Sequence, residues 1–389
     1  MKSVAVIGAS LAGLSAARAL RAQGFDGELT IVGAEARRPY DRPPLSKEFL
    51  AGDIGEDALA LEADDDDLAA QWLLGVHATR LDAHASAVQL DSGTAIHADG
   101  IVVATGARAR AWPGSDGLAG VHVLRTVDDA LALRGELRQG ARLVVIGAGF
   151  IGAEVASTAV KLGLDVTVVE AALAPLAGPL GVQLGAAVAR LHTEHGTRLL
   201  CGAPVAGLIG SDRVTGVELA DGRRLAADVV LVGIGAIPNV EWLRDSPLEL
   251  SNGVVCDEGG ATSIPNVVAV GDCAAWHEPC VGLPHRVEHW TGALERPAIA
   301  VATLLAGGRH NGPPARPPYF WSDQYGRRIQ FAGIAHPCDE IVFEVGTMRD
   351  TSFLAVYRRA GQPVAVLSVD QPKLFTRWRR QLAVVPAAA

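Results

Sequence analysis

The stretches VAVIGASLAG (residues 4–13) and LVVIGAGFIG (residues 143–152) decide the fold of this chain. Each is a continuous apolar run that ends in a glycine-rich turn, and a helical pattern follows each turn. Such runs are typical of strands that are buried on both faces of a parallel sheet. The next strand of each copy leads to an acid, Glu35 in the first and Glu170 in the second. A repeated strand–turn–helix–strand unit predicts two doubly wound α/β domains.

The residue types in the two turns are those that the pyrophosphate of a dinucleotide requires. The first glycine makes the tight turn, a small second residue lets backbone N–H groups approach the phosphates, and the third glycine lets helix pack on strand. The helix N-terminus adds the positive end of its dipole, and the acid accepts from a ribose hydroxyl. The first copy departs from this pattern because Ser10 takes the second glycine position. The alternative is a simple tight turn that binds no ligand. This alternative is weaker for the second copy, whose motif is complete.

The composition is that of a soluble globular enzyme. The 389 residues suffice for two or three domains, and the net charge of −9 argues against nucleic-acid binding. No apolar run approaches the 18 residues of a membrane span. The five cysteines show neither CxxC nor metal-ligand spacing, and no signal peptide precedes the first strand. We therefore expect a cytoplasmic protein with reduced thiols and no metal site, present as a monomer or weak dimer.

Further motifs carry a family resemblance over essentially the whole chain. The motifs, in order, are PYDRPPLSK (39–47), ATGA (104–107), GIGAIPN (233–239), VGDCA (270–274), RVEHW (286–290) and PYFWSDQYG (318–326). Together they resemble the motifs of the NADH-dependent ferredoxin reductases that serve bacterial oxygenases and haem-thiolate monooxygenases, a putidaredoxin reductase-like group within the glutathione reductase superfold.

The resemblance implies a discontinuous FAD domain (1–109 with 236–310), an inserted NAD domain (110–235) and a C-terminal α+β domain (311–389). Short strands and turns followed by a basic helix-like tail are expected in the last, after a Pro/Gly-rich joint at 307–318. The residues implied for FAD are Gly8, Ser10, Leu11, Ala12, Gly13, Glu35, Arg42, Lys47, Ala104, Thr105, Gly106, Arg125, Gly271, Asp272, Glu288, His289 and Trp290. Those implied for NADH are Gly147, Gly149, Phe150, Ile151, Gly152, Glu154, Glu170, Gly233, Ile234 and Gly235.

The implied reaction passes a hydride from NADH to N5 of FAD and then single electrons to an iron–sulfur ferredoxin. Disulfide reductases of this superfold carry a redox cysteine beside the flavin, but residues 8–200 contain no cysteine. Electrons are therefore expected to leave directly to an outside acceptor. An NADH-dependent reductase of a rubredoxin or a small molecule, and a redox sensor similar to apoptosis-inducing factor, remain as alternatives.

Lys47, Glu154 and Trp290 are the candidate catalytic residues. Lys47 follows a Pro-Pro-Leu-Ser turn and Glu154 lies in the first turn of the second helix, so both could face the gap between flavin and nicotinamide. Surface positions for this pair and a core position for Trp290 are the alternatives. Taken alone, Asp272 would be interpreted as a helix N-cap, but the apolar strand before it, Gly271 beside it and the other motifs favour the flavin role.

Charge is distributed unevenly along the chain. Residues 311–389 carry ten basic and six acidic side chains, a net +4, whereas the remaining residues carry 24 and 37, a net −13. A basic end on an acidic protein favours an anionic partner, so we expect an acidic ferredoxin to dock near Arg377, Arg379 and Arg380, which flank Trp378. A merely solvated charged face is the alternative.

Overall fold

The first glycine turn follows the middle strand of a five-stranded parallel sheet. The computed structural model describes residues 1–63, 67–279, 281–309 and 316–382. Residues 4–7 are at most 2% exposed, because helices cover one face of the sheet and a small antiparallel sheet covers the other. The strands, in spatial order, are Val267–Ala269, Gly100–Val103, Ser3–Ile7, Glu28–Gly33 and Ala70–Leu74.

A second parallel sheet of five strands repeats this arrangement around the second glycine turn. Its strands, in spatial order, are Arg198–Leu200, Asp165–Val169, Arg142–Ile146, Val229–Val232 and Val121–His122. The helix after the turn begins at Phe150, inside the glycine motif of residues 147–152, because Gly149 already forms its N-cap. The repeated unit is therefore confirmed.

Smaller sheets extend the two units. Two antiparallel sheets of three strands are formed by Ala78–Asp82, Ala87–Leu90 and Ala95–His97, and by Val205–Gly210, Val214–Leu219 and Arg224–Ala226. Ala107–Ala109 pairs with Ala236–Pro238, where the chain passes between the units. A mixed sheet contains Leu250–Ser251, Gly253–Cys256, Ala274–Glu278 and Leu283–Arg286.

The C-terminal region is a five-stranded antiparallel sheet between two helices. Alternate residues face opposite sides, so Tyr357 packs beneath helix Ala177–Glu194 while Val356 packs beneath Phe375 of the last helix. The Tyr357 hydroxyl also donates to the Leu180 carbonyl at 2.7 Å, which ties this sheet to the second unit. The strands, in spatial order, are Tyr319–Gln324, Arg327–Gly333, Gln362–Val369, Phe353–Arg359 and Glu340–Val345.

Seven helices lie in the described part of the chain: Leu11–Ala22, Glu48–Ala51, Val127–Glu136, Phe150–Lys161, Ala177–Glu194, Trp290–Leu305 and Pro372–Arg379. The fold class, two doubly wound units with a C-terminal α+β region, is confirmed. The domain boundaries stay a prediction. The acidic residues Asp64, Asp65 and Asp66, residues 310–315 of the joint at 307–318, the C-terminal residues 383–389 and Cys280 lie outside the described residues. No helix in the described ranges is long and apolar enough to cross a membrane.

Candidate functional site

A cavity of about 870 Å³ extends along the first glycine turn and meets the C-terminal sheet. This volume lies in the usual range of ligand pockets. Of the residues proposed for FAD, the structure places all but Gly13 in its wall: Gly8, Ser10, Leu11, Ala12, Glu35, Arg42, Lys47, Ala104, Thr105, Gly106, Arg125, Gly271, Asp272, Glu288, His289 and Trp290. Phe150, Ile151 and Glu154, which the sequence assigns to the second unit, line the same cavity.

The first glycine turn leaves its helix N-terminus facing this cavity. Gly8 has a φ of +126°, and a Cβ on it would lie 2.0 Å from the Ala104 carbonyl oxygen. A Cβ on Gly13 would lie 1.8 Å from the Gly8 carbonyl oxygen, so Gly13 lets the helix approach the strand rather than lining the cavity. Ser10 is the N-cap in an extended conformation that any residue adopts. The turn therefore fits the pyrophosphate of FAD in spite of the serine.

The second turn shows which glycine the chain itself requires. Cβ atoms on Gly147 and Gly152 would lie 2.3 and 2.2 Å from carbonyl oxygens of neighbouring backbone, of Gly233 and Gly147 respectively. A Cβ on Gly149 would meet no protein atom within 4 Å. Packing within the protein does not explain the glycine at 149, but the close approach of a dinucleotide does. The second turn fits a nicotinamide dinucleotide.

The acids that follow the two units are both held by hydrogen-bond donors. Glu170 accepts from the backbone N–H groups of Ala148 and Ala172, each at 2.8 Å. Its carboxylate thus lies directly against the second glycine turn. Gly233, Ile234 and Gly235 follow strand Val229–Val232, which neighbours the strand before the second glycine turn. These three residues do not line the 870 Å³ cavity.

Glu35 lies in the cavity wall beside two donors. Its carboxylate accepts from the Tyr40 hydroxyl at 2.5 Å and from Arg42 at 2.7 Å. Arg42 also donates to the Arg125 carbonyl at 2.5 Å, so it links Glu35 to Arg125 within the cavity wall. Burial raises the pKa of the Tyr40 hydroxyl, so it remains a donor.

Asp272 is a cavity carboxylate and not the N-cap of a helix. It lies within the short turn Gly271–Cys273, which continues into a strand. Its side chain forms an ion pair with Arg125, whose Nε donates to the Ala107 carbonyl at 3.0 Å. The guanidinium compensates a carboxylate that has little contact with solvent.

Lys47 and Glu154 meet in the cavity wall as an ion pair. Lys47 Nζ lies 2.7 Å from Glu154 Oε2, and their side chains are 13% and 8% exposed. Ser46 donates to the same oxygen at 2.5 Å, and Ser322 donates to Oε1 at 2.7 Å. The surface alternative for this pair is therefore wrong. The first unit, the second unit and the C-terminal sheet all contribute to this one carboxylate.

Trp290 opens helix Trp290–Leu305 and lines the cavity, and its Nε1 donates to Asp41 at 2.8 Å. Burial raises the pKa of Asp41. The Trp290 ring meets the edge of Trp321, with ring centres 5.6 Å apart. Burial lowers the pKa of His289 to about 4, so this imidazole is neutral at neutral pH. Glu288 pairs with Arg286 at 2.6 Å.

Sequence reasoning missed several residues of this site, and five of them are Asp41, Ser46, Phe320, Trp321 and Ser322. All five lie inside the motifs PYDRPPLSK (39–47) and PYFWSDQYG (318–326). The period-two alternation of a strand could have placed Phe320 and Ser322 on one face. Nothing local indicates which distant residue that face meets.

The cavity wall contains no cysteine among the described residues. Cys273 follows Asp272 but is fully buried, and its Sγ donates to the Val270 carbonyl at 3.3 Å. A thiol in this position is packing material. The described cysteines, Cys201, Cys256, Cys273 and Cys338, form no disulfide with one another.

Two dinucleotide turns that share residues of one cavity define an oxidoreductase that uses a flavin and a nicotinamide dinucleotide. The chain belongs to the pyridine nucleotide-disulphide oxidoreductase family, which its residues 2–296 match. Residues 319–385 match a second family, described as reductase C-terminal.

Named relatives resemble the chain over nearly its whole length. It is 41% identical to the ferredoxin reductase component of chlorobenzene dioxygenase from Cupriavidus sp. (strain PS12), covering 99% of this chain and 94% of that one. It is 36% identical to putidaredoxin reductase from Pseudomonas putida, covering 96% and 90%. The crystal structure of a covalent putidaredoxin reductase–putidaredoxin complex superimposes with a TM-score of 0.92 at 34% identity, covering 97% and 92%.

Proposed function

We propose that the chain is an NADH-dependent ferredoxin reductase that supplies an oxygenase or a haem-thiolate monooxygenase. The observation that carries the proposal is the shared cavity, whose wall combines the first glycine turn with Phe150, Ile151 and Glu154 of the second unit. The absence of cysteine from the described wall favours an acceptor outside the protein. The printed names of the relatives support a ferredoxin as that acceptor.

FAD belongs in the first unit. Backbone N–H groups of the helix that begins at Leu11 would hold its pyrophosphate, together with Arg42, and Glu35 would accept from its adenosine ribose. Asp272 would accept from the ribityl chain, fixed there by Arg125. When bound, FAD supplies the exchange between two-electron transfer from NADH and one-electron transfer to an iron–sulfur centre.

NADH belongs in the second unit, with its pyrophosphate at Gly149 and its adenosine ribose at Glu170. Ala171 and Ala172 follow this acid and provide no cation for a 2′-phosphate. Glu154 lies in the helix that the second turn opens, so its pair with Lys47 stands where the two binding sites meet. The pair orients the reacting groups and excludes water from the space between them.

An acidic ferredoxin is the proposed partner, and the last helix is the proposed docking element. Arg377 and Arg380 are exposed, which suits contact with an anionic surface. Trp378 is less suited than the sequence suggests, because it packs against the C-terminal sheet beneath Arg358. Arg379 lies over the ring of Tyr319, 4.3 Å from its centre.

A cytoplasmic location is also part of the proposal. The described cysteines are free thiols, as in reducing compartments.

The test begins with purified protein, which is expected to carry one non-covalent FAD per chain. Ferredoxin-dependent oxidation of NADH is then measured against ionic strength for the wild type and for Arg377→Glu/Arg380→Glu. Turnover should fall with salt, and the reversal should raise the ferredoxin KM without changing ferricyanide reduction. Protein that takes up no FAD overturns the whole proposal, whereas NADH oxidation with artificial acceptors alone points to a small-molecule reductase or a sensor. A salt-independent KM removes the last helix from the docking site.

A further inference from the structure

The carboxylate of Glu154 is anchored through both of its oxygens. Lys47 and Ser46 occupy Oε2, at 2.7 and 2.5 Å. Ser322 alone among the described side chains donates to Oε1, at 2.7 Å. Glu154 is only 6% exposed, so water cannot readily replace a lost donor. Ser322 therefore holds one of the two points that fix the plane of the carboxylate.

The Ser322 hydroxyl is itself oriented. Gln324, two residues along the same strand and hence on the same face, donates from Nε2 to Ser322 Oγ at 3.0 Å. A hydroxyl oxygen that accepts from the amide directs its own hydrogen toward the carboxylate. Ser322 and Gln324 are 0% and 1% exposed. The two side chains form a buried relay that ends on Glu154.

The strand that carries this relay is fixed against the second unit. Phe320 packs on Phe150, with ring centres 4.2 Å apart. The backbone N–H of Tyr325 donates to the Ser157 hydroxyl at 2.7 Å. These contacts lie on either side of Ser322, so its position relative to Glu154 does not depend on the hydroxyl alone.

We propose that Ser322 is a positioning residue for electron entry from NADH, by which the C-terminal sheet sets the geometry of the Lys47–Glu154 pair. The inference rests on the proposed function. Ser322 does not line the cavity and acts through Glu154. The terminal torsion of a glutamate is broad, so a carboxylate anchored only through Oε2 can turn about it. Loss of the Ser322 hydroxyl therefore loosens Glu154 from Lys47.

A loosened pair has two measurable consequences. Misplaced groups slow reduction of the flavin by NADH, by about tenfold to a hundredfold. The Lys47 ammonium, less neutralised by Glu154, stabilises the extra negative charge of reduced flavin, so the midpoint potential of bound FAD rises. If Ser322 had a purely structural role, its replacement would change neither the reduction rate nor the potential as long as FAD stays bound.

The experiment compares Ser322→Ala with Ser368→Ala. Ser368 lies in the same sheet and its hydroxyl is equally buried, but this hydroxyl makes no hydrogen bond to Glu154. Anaerobic rapid mixing with NADH gives the reduction rate, and a redox titration gives the potential. We expect slower reduction and a raised potential in Ser322→Ala, wild-type values in Ser368→Ala, and recovery in Ser322→Thr, which keeps the hydroxyl.

Equal behaviour of Ser322→Ala and Ser368→Ala overturns the inference. Wild-type flavin that NADH does not reduce overturns the proposed function instead. If Ser322→Ala does not fold, Gln324→Met provides the second test, because it frees the Ser322 hydroxyl without removing it. Slower reduction with a raised potential then supports the relay, and wild-type values overturn it.

Discussion

Removing either partner of the Lys47–Glu154 ion pair should destabilise the fold, and removing both partners should cost less than the two single losses added together. Lys47→Met leaves a carboxylate that is 8% exposed without a counter-charge. Removing one partner of a buried pair costs about 3–5 kcal/mol. The serine donors to Glu154 remain, so we expect the lower end, about 3 kcal/mol. The double variant Lys47→Met/Glu154→Gln has no buried charge and should lose about 1–3 kcal/mol less than the sum of the singles.

Calorimetry at saturating FAD measures the loss of stability in each variant as a lowered Tm. An unfolding entropy of about 2.1 cal/mol/K per residue gives about 0.8 kcal/mol/K for a chain of this length, so about 3 kcal/mol lowers Tm by about 4 °C. Lys161→Met is the matched control, because Lys161 lies on the same helix as Glu154 and pairs with Asp53 at 2.8 Å, but in solvent.

Lys161→Met should leave Tm unchanged. Both single variants of the buried pair should also slow reduction of the flavin by NADH, because each misplaces the remaining partner. A Tm for Lys47→Met equal to that of the control, or strictly additive losses in the double variant, would refute the reasoning.

Three further predictions concern cofactor choice, thiols and pH. NADH should be preferred over NADPH by about fivefold to a thousandfold in kcat/KM, because like charges about 4 Å apart at Glu170 cost about 1–4 kcal/mol; equal kcat/KM values for the two cofactors would rule this out. Replacing all five cysteines by serine or alanine should leave NADH–ferricyanide activity largely intact, and a single substitution that stopped electron transfer without unfolding would restore a disulfide mechanism. Burial lowers the pKa of His192 to about 4, so the unfolded chain takes up a proton at this site near pH 6.5 while the folded protein does not. Stability should therefore fall by at most about 3 kcal/mol as the pH drops from 6.5 to 4. Thermal denaturation across this window should be less pH-dependent in His192→Gln than in the exposed control His84→Gln, and parallel curves would contradict it.

The parts of the fold that could be predicted are those whose signal is local. Strands Ser3–Ile7 and Val229–Val232 contain uninterrupted apolar runs that end at a glycine, Gly8 and Gly233, so the sequence itself marks where each strand ends. Helix Ala177–Glu194 was not predicted. Its first part contains Gly178, Pro179 and Gly181, and Gly181 has a φ of +76° at a kink. Packing against the C-terminal sheet stabilises this helix in spite of its low propensity.

In the candidate site, too, the sequence identifies only the parts whose signal is local. Glycine turns and their acids carry their chemistry in a short stretch, so the sequence identifies them. Ser322 meets Glu154 across 168 residues, and Trp290 meets Asp41 across 249. Such contacts depend on how the three regions pack, which no local pattern encodes. For the same reason, the sequence does not distinguish a Lys47 paired with Glu154 from a Lys47 on the surface.

The proposed function is the transfer of electrons from NADH through bound flavin to a ferredoxin. Its most direct test is anaerobic rapid mixing in two steps, followed by the visible absorption of the flavin. We expect NADH to bleach the flavin. Oxidised iron–sulfur ferredoxin, added next, should restore the flavin's colour while its own cluster becomes reduced. Flavin that NADH bleaches but ferredoxin leaves bleached, while ferricyanide restores it, would contradict the claim.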